Sequence, residues 1–167
     1  MATTTHDTPS PFRTKLVIFL KNYGAQLAFG PALAALLGSL YYSEIAGFEP
    51  CELCWFQRIL MYPLTVLILV GVFNDDRLLP KYVLPLSVTG MGVSTYHYLL
   101  QNHVFGGEQI CSFGVSCTLR YVNLWGFVTI PFMALTAFTM ITVLMWGTHW
   151  AYKQEAGEEE DEEGWDE

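Results

Sequence analysis

Four long uncharged segments constrain the fold of this chain more than any other feature of its sequence. They run from Tyr23 to Tyr42, Trp55 to Phe73, Tyr82 to Gln101 and Leu124 to Trp146, and Arg58 is the only Lys, Arg, Asp or Glu within them. A transmembrane helix needs about 20 mostly apolar residues, whereas a helix of a soluble bundle carries a polar stripe. The sequence therefore predicts an all-α fold, an integral membrane bundle of four helices.

Charged residues divide the chain into three parts. Residues 1–15 form a polar N-terminal segment, residues 16–150 the four-helix transmembrane domain, and residues 151–167 an acidic tail. Most of the acidic residues lie in this tail, so the net charge of −8 belongs to the tail rather than to the helical part. Such acidic runs are typically disordered, and no basic or aromatic pattern indicates nucleic-acid binding.

The distribution of basic residues predicts the orientation of the chain in the cell membrane. Loops rich in Lys and Arg stay on the cytoplasmic side. Here the basic residues precede the first segment, occupy the second loop and follow the fourth segment: Arg13, Lys15, Lys21, Arg77, Lys81 and Lys153. Both termini are therefore expected in the cytoplasm. The first and third loops, which contain all four cysteines, then share the extracytoplasmic face of a multi-pass protein.

The four cysteines form two closely spaced pairs outside the uncharged segments. Cys51 and Cys54 stand directly before the second segment, and Cys111 and Cys117 lie in the third loop. The partial positive charge of a helix N-terminus favours a thiolate in a Cys-x-x-Cys pair. The spacing is compatible with three interpretations: two redox-active pairs, two structural disulfides in a non-enzymatic membrane protein, or four thiolates that bind one zinc ion.

Arg58 is a candidate functional residue because it is the single charge in its segment. It lies four residues after Cys54, so the two side chains share one face of a helix. A guanidinium within the bilayer costs about 2.5 kcal/mol near the centre and less near an interface. A nearby partner for the charge would offset that cost.

Small residues recur every four positions in the first segment, at Gly30, Ala34 and Gly38. In membrane helices such a row allows the backbone of a neighbouring helix to approach closely. The pattern therefore predicts that another helix packs tightly against this face.

The segment around the first cysteine pair resembles a known family. Cys51-Glu-Leu-Cys54-Trp-Phe-Gln-Arg58 resembles the signature of the DsbB/BdbC membrane disulfide-bond-forming oxidoreductases. His97-Tyr-Leu-Leu-Gln101 resembles the segment of the third helix that lies next to the quinone in that family. Thr129-Ile-Pro-Phe-Met-Ala-Leu135 resembles the fourth helix of its short-loop, BdbC-like branch. The resemblance extends over Tyr23 to Trp146.

The resemblance implies an enzyme, a quinone-dependent protein-disulfide oxidoreductase. Such an enzyme reoxidises a thioredoxin-fold thiol oxidase, similar to DsbA or BdbD, and passes the electrons to ubiquinone or menaquinone in the lipid membrane. By the same resemblance, the catalytic residues are the four cysteines: Cys51, Cys54, Cys111 and Cys117. The residues expected to bind the quinone are Arg58, His97 and Gln57, and no resident metal is expected.

Overall fold

The computed structural model describes residues 11–102, 104, 111, 115–123 and 125–163, with only the backbone described at residues 11 and 157–163. Over these residues the chain forms four long helices, which confirms the predicted all-α class. Helix α1 spans Pro11–Leu40 and continues as a π-helical turn over Tyr41–Ile45. Helices α2, α3 and α4 span Glu52–Asn74, Leu79–Gln101 and Ile130–Glu163.

The helices form a ring in which each one packs against two others, in the order α1, α2, α3, α4 and back to α1. Consecutive helices run antiparallel, as expected from the short connections between α1 and α2 and between α2 and α3. The end of α1, the start of α2, the end of α3 and the start of α4 therefore meet at one end of the bundle, here called the cysteine end. The other end, where α2 turns into α3, is called the opposite end.

Three of the helices are long and apolar enough to cross a membrane, over Phe12–Ile45, Glu52–Asn74 and Ile130–Ala156. Helix α3 is as long as α2 but carries more polar residues. Its most deeply buried polar side chains face the interior of the bundle, at Ser87, Ser94, His97 and Gln101. The molecule is thus a multi-pass membrane bundle whose third helix directs its polar groups away from lipid.

The apolar core lies between the four helices and contains several side chains with no exposed surface: Leu64, Ile68, Val83, Phe138, Ile141 and Met145. Gly90 of α3 allows the ring of Phe138 to pack directly against the helix backbone, where a Cβ atom would collide with it. Close packing of this kind is the main source of helix association in lipid. The bundle therefore depends on Gly90 for the contact between α3 and α4.

The small residues of α1 do not serve the close packing that their spacing predicts. A Cβ atom added at Gly30 or Gly38 would meet nothing within 4 Å. These two glycines and Ala34 instead line a cavity between α1, α2 and α4. The prediction of tight helix packing at this face is therefore wrong, because the neighbouring helices leave this space unfilled.

Helix α4 differs from the prediction at both of its ends. It begins at Ile130 rather than near Leu124, because Trp125 and Gly126 adopt positive φ angles of 54° and 83° that a helix does not allow. It continues to Glu163, so the prediction of a disordered tail from residue 151 is wrong as far as residue 163. Residues 164–167 lie outside the described part, and the division into domains stays a prediction.

Polar contacts at the opposite end hold this extension of α4 against α1. Lys21 forms an ion pair with Glu155, and Arg13 Nη2 donates a hydrogen bond to Gln154 Oε1 at 2.9 Å. Arg77 Nη1, in the turn between α2 and α3, lies 3.8 Å from the other oxygen of Glu155. Since α1 begins at Pro11, well before Tyr23, it offers these basic side chains to the start of the tail.

Candidate redox site at the cysteine end

The first cysteine pair lies at the start of α2. Cys51 is the N-cap residue, and its carbonyl accepts a hydrogen bond from Trp55 N at 3.0 Å, which starts the helix. Cys54 follows in the first turn, and its Sγ atom lies 2.8 Å from Cys51 Sγ. Both are free thiols in this structure. The helical spacing alone therefore brings the two sulfur atoms within reach of a disulfide.

The environment of Cys51 favours its thiolate. A hydrogen bond from the Cys54 thiol lowers the pKa of Cys51 to about 4, aided by the neighbouring His97 ring and against the opposing effect of burial. The ordinary pKa of a cysteine thiol is near 8.5. Reduced Cys51 is therefore ionised at neutral pH, as nucleophilic thiols require.

The second pair, Cys111 and Cys117, forms a disulfide. Cys117 is buried and packs in one cluster with Cys51 and Leu100, against which Cys54 and Cys111 also pack. The two pairs are therefore neighbours at the cysteine end. Since Cys111 and Cys117 are bonded to each other, their sulfur atoms are not free to bind zinc together with the first pair in this form of the protein.

His97 lies between the two cysteine pairs. It is 1% exposed, and its Nε2 atom lies 3.7 Å from Cys51 Sγ and 3.2 Å from the carbonyl oxygen of Cys117. Its other ring nitrogen, Nδ1, is buried without a hydrogen-bond partner. Helix α3 thus places one imidazole nitrogen against both the thiol of the first pair and the backbone of the second.

Gln57 and Arg58 follow one turn after Cys54 on α2. Gln57 Nε2 donates a hydrogen bond to Ser94 Oγ of α3 at 3.0 Å. Arg58 Nη2 donates to the carbonyl oxygen of Ser39 at 3.0 Å, where α1 passes into its π-helical turn, and the guanidinium lies over the Trp55 ring at 5.5 Å. The charge of Arg58 therefore has partners on two helices while its side chain stays only partly buried.

Two cavities meet at Gln57 and Arg58. The smaller, of about 70 Å³, is lined by both cysteines of the first pair, His97 and Gln101. The larger, of about 480 Å³, runs along α1, α2 and α4 and is mostly apolar. Its polar end is formed by side chains shared with the smaller cavity: Ser39, Tyr42, Gln57 and Arg58. The thiol pair is thus connected to an apolar space large enough for part of a lipid-like molecule.

Several residues that the sequence did not single out hold the loops over this site. Arg120 Nη2 donates hydrogen bonds to the Gln101 carbonyl at 2.6 Å and to Asn102 Oδ1 at 3.0 Å, at the C-terminus of α3. Phe48 of the first loop stacks on Tyr121 of the third loop, with ring centroids 4.7 Å apart. In the sequence, the one indication of such a role was the position of Arg120, the only Lys or Arg of the third loop.

The structure brings all the predicted site residues to the cysteine end, but they differ in which of the two cavities they line. Gln57 and Arg58 line both cavities. His97 lines only the smaller one and contacts the thiol pair. A direct role of His97 at a quinone thus stays a prediction, and its observed contacts are with cysteines.

Comparison with known proteins agrees with this arrangement. The family profile "Disulfide bond formation protein DsbB" matches residues 21–151. Disulfide bond formation protein C of Bacillus subtilis is 51% identical over 115 residues, which cover 68% of this chain and 83% of that protein. Two probable disulfide formation proteins C are also similar. That of Halalkalibacterium halodurans is 49% identical over 67% of this chain and 82% of its own length. One from Bacillus anthracis is 44% identical over 74% and 89%. No solved structure matches significantly. With its cysteine pairs gathered at one end of a membrane bundle, this chain belongs to the DsbB family of disulfide bond formation proteins.

Proposed function

We propose that this chain is a thiol–quinone oxidoreductase that reoxidises a thioredoxin-fold thiol oxidase and delivers the electrons to a membrane quinone. The observation that carries the proposal is the contact between the two cysteine pairs in one buried cluster, directly beside the apolar cavity. Two purely structural disulfides would need neither the mutual contact nor the cavity. Membership of a disulfide-forming family supports the overall reaction.

The second pair receives the electrons from the partner. Cys111 is partly exposed and Cys117 is buried, so a thiolate of the partner attacks the sulfur of Cys111. This attack forms a mixed disulfide and releases Cys117 as a thiolate. The second thiol of the partner then attacks the mixed disulfide, which leaves the partner oxidised and frees Cys111. Two electrons have now entered the chain.

The first pair receives these electrons by a second exchange. The Cys117 thiolate attacks Cys51 of an oxidised first pair, which lies in the same cluster, and Cys54 leaves as a thiolate. Freed Cys111 then attacks Cys117, restores the Cys111–Cys117 disulfide and releases Cys51. His97, which contacts both Cys51 Sγ and the Cys117 backbone, orients these two residues and stabilises the Cys51 thiolate.

The larger cavity fits a quinone with an isoprenoid tail. Its apolar walls suit the tail, and its polar end offers the Arg58 guanidinium and the Gln57 amide beside Cys54. A quinone bound there would take two electrons from the reduced Cys51–Cys54 pair, whose disulfide then re-forms, together with two protons. Arg58 would donate hydrogen bonds to the negative charge that develops on a quinone at this end.

The orientation of the chain belongs to the same proposal. The basic residues at the opposite end, among them Arg13, Lys21 and Arg77, support a cytoplasmic location of that end by the positive-inside rule. The cysteine end then faces the extracytoplasmic compartment, where disulfides persist. A partner similar to DsbA or BdbD reaches Cys111 from that side.

The proposal is tested with purified full-length protein, a reduced thioredoxin-fold oxidase and a soluble quinone analogue, whose reduction is followed by absorbance. We expect that replacement of any of the four cysteines by serine reduces turnover to the background rate, because each exchange step then lacks a sulfur. A partner whose second cysteine is replaced by serine should accumulate a mixed disulfide with Cys111 of the unaltered protein, because the thiol that resolves this disulfide is missing. Right-side-out membrane vesicles should accept the partner, and inverted vesicles should not.

Ser116→Ala provides the matched control, because it alters the residue beside Cys117 without changing a thiol. If Cys111→Ser and Cys117→Ser both keep full turnover, the second pair is a structural disulfide and the proposed electron path is wrong.

A further inference from the structure

The thiol pair and His97 form a cluster of potential metal ligands. Cys51 Sγ, Cys54 Sγ and a ring nitrogen of His97 all lie within 4.8 Å of one another. Among the residues that the structure describes, no other trio of His, Cys, Asp or Glu side chains converges in this way. Two thiolates and one imidazole are the ligands that zinc and related thiophilic cations prefer.

The distances fit a tetrahedral ion after a small adjustment. Zinc binds sulfur at about 2.3 Å and imidazole nitrogen at about 2.0–2.1 Å, so tetrahedral ligands lie about 3.6 Å apart for S···N and about 3.8 Å for S···S. The observed Cys51 Sγ to His97 Nε2 distance is 3.7 Å. The two sulfur atoms are 2.8 Å apart, so they must separate by about 1 Å, which a rotation of the half-buried Cys54 side chain provides.

The surroundings leave room for a fourth ligand. All three donors line the smaller cavity of about 70 Å³, and a water molecule needs roughly 10–15 Å³ of such space. Three protein ligands and one water form the open coordination that exchangeable zinc sites use. The Nδ1 atom of His97 lacks the hydrogen-bond partner that usually fixes a resident metal ligand. This combination favours reversible binding over a permanent structural ion.

We propose that the reduced Cys51–Cys54 pair and His97 bind one thiophilic divalent cation, zinc or cadmium, and that binding and the Cys51–Cys54 disulfide exclude each other. The cation takes both thiolates and displaces their protons, whereas the disulfide has no thiolate to offer. Its consequence rests on the proposed function: the cation holds the two sulfurs that reduce the quinone, so the bound protein is inhibited until the ion leaves.

The test uses full-length Cys111→Ala/Cys117→Ala protein, in which the first pair holds the only thiols. The protein is reduced with a phosphine, freed of reductant and titrated with Cd²⁺, whose bonds to thiolates absorb in the ultraviolet. We expect one Cd²⁺ per chain, and none after oxidation of the pair by quinone. Replacing either Cys51 or Cys54 by serine should abolish this absorbance.

His97→Ala decides whether the site is more than a dithiol. Loss of the imidazole should weaken Cd²⁺ and Zn²⁺ binding by about tenfold or more, since even the outer-shell partners of metal ligands contribute that much. His149→Ala, on α4 near the opposite end, should leave the affinity unchanged. If His97→Ala does not fold, His97→Gln replaces it in the same titration. Equal affinity without the imidazole, or equal binding by the oxidised protein, would overturn the proposal.

A separate measurement keeps this inference distinct from the proposed function. The same reduced protein is mixed with quinone in the presence of a chelator, and then with Zn²⁺. Quinone reduction in chelator without any cation binding would refute the metal site and leave the proposed function intact. Cation binding combined with a failure to reduce quinone in chelator would refute the proposed function and leave the metal site intact. If both proposals hold, Zn²⁺ slows quinone reduction at least tenfold and chelator restores it.

Discussion

The two ends of the bundle satisfy their polar groups in different ways. At the opposite end, Lys21 of α1 and Arg77 of the turn between α2 and α3 both lie beside the Glu155 carboxylate of α4. Among the described residues, three of the four buried side-chain polar atoms without a hydrogen-bond partner lie at the cysteine end: His97 Nδ1, Gln101 Oε1 and Thr129 Oγ1. The fourth, Glu155 Oε2, has Arg77 Nη1 at 3.8 Å.

This difference separates the part that holds the fold from the part that reacts. An unsatisfied buried polar atom costs about 1–3 kcal/mol, so the cysteine end carries groups that a ligand, water or a redox partner can still satisfy. Among the described residues, the core between the ends, around Phe138 and Gly90, contains no such group. Substitutions at the cysteine end should therefore change activity, and substitutions elsewhere should change stability.

The largest effect in this comparison is expected at Arg58. Under the proposed function, Arg58→Ala should raise the KM for quinone about tenfold or more, because a hydrogen bond from a charged donor contributes about 1.5–3 kcal/mol. Arg58→Lys should restore only part of the affinity, since an ammonium lacks the planar fork of the guanidinium. Quinone titrations at a saturating concentration of the partner measure both values.

Arg77→Ala is the matched control, because it removes an arginine from the opposite end. It should leave the quinone KM unchanged. An unaltered KM in Arg58→Ala would mean that the guanidinium serves only its contacts with Ser39 and Trp55.

A smaller effect, on stability rather than on activity, is expected at Gly90. Gly90→Ala should lower the free energy of unfolding by about 1–3 kcal/mol, because the added methyl group collides with the buried ring of Phe138. Thermal unfolding in detergent measures this loss. The rate of electron transfer from the partner to the cysteine pairs should not change, since neither residue belongs to the thiol cluster.

Gly92→Ala is the matched control. Gly92 lies on the same helix, and a methyl group added there would have no atom within 4 Å. It should be neutral or slightly stabilising, because alanine favours the helix more than glycine does. Equal unfolding temperatures for the two variants would contradict the close contact between α3 and α4.

The smallest effect is expected at the ion pair of the opposite end. The Lys21 and Glu155 side chains are about 30% exposed, and pairs of this kind contribute about 0–1 kcal/mol. Glu155→Gln should therefore lower the stability by less than 1 kcal/mol, and the difference should shrink as salt is added. A loss of several kcal/mol, independent of salt, would show that this end is as critical as the core.

Sequence reasoning located the helices well because burial in lipid imposes long uncharged segments. It also identified the cysteines, Gln57, Arg58 and His97, which the structure gathers at one end. It failed at Gly30 and Gly38, because a row of small residues does not reveal whether a helix or a cavity faces it. Likewise, the contact of His97 with Cys51 depends on the rotation of α3 against α2, which local sequence does not encode.

The acidic tail illustrates a different limit. Its composition is typical of disordered segments, yet α4 continues through its first part to Glu163. In that part, Glu155 pairs with Lys21 of α1, which also extends beyond its uncharged segment. Pairings between residues so distant in the sequence become visible only in three dimensions.

The larger cavity opens sideways. Gly30, Ala34 and Met140 line it and are exposed on the flank of the bundle, which lipid covers. A molecule that binds there arrives by lateral diffusion within the membrane plane, and the aqueous phase plays no part in its delivery. Under the proposed function, the quantity that governs saturation is then the mole fraction of quinone among the lipids. Adding lipid at a fixed amount of quinone would slow turnover, while adding buffer would leave it unchanged.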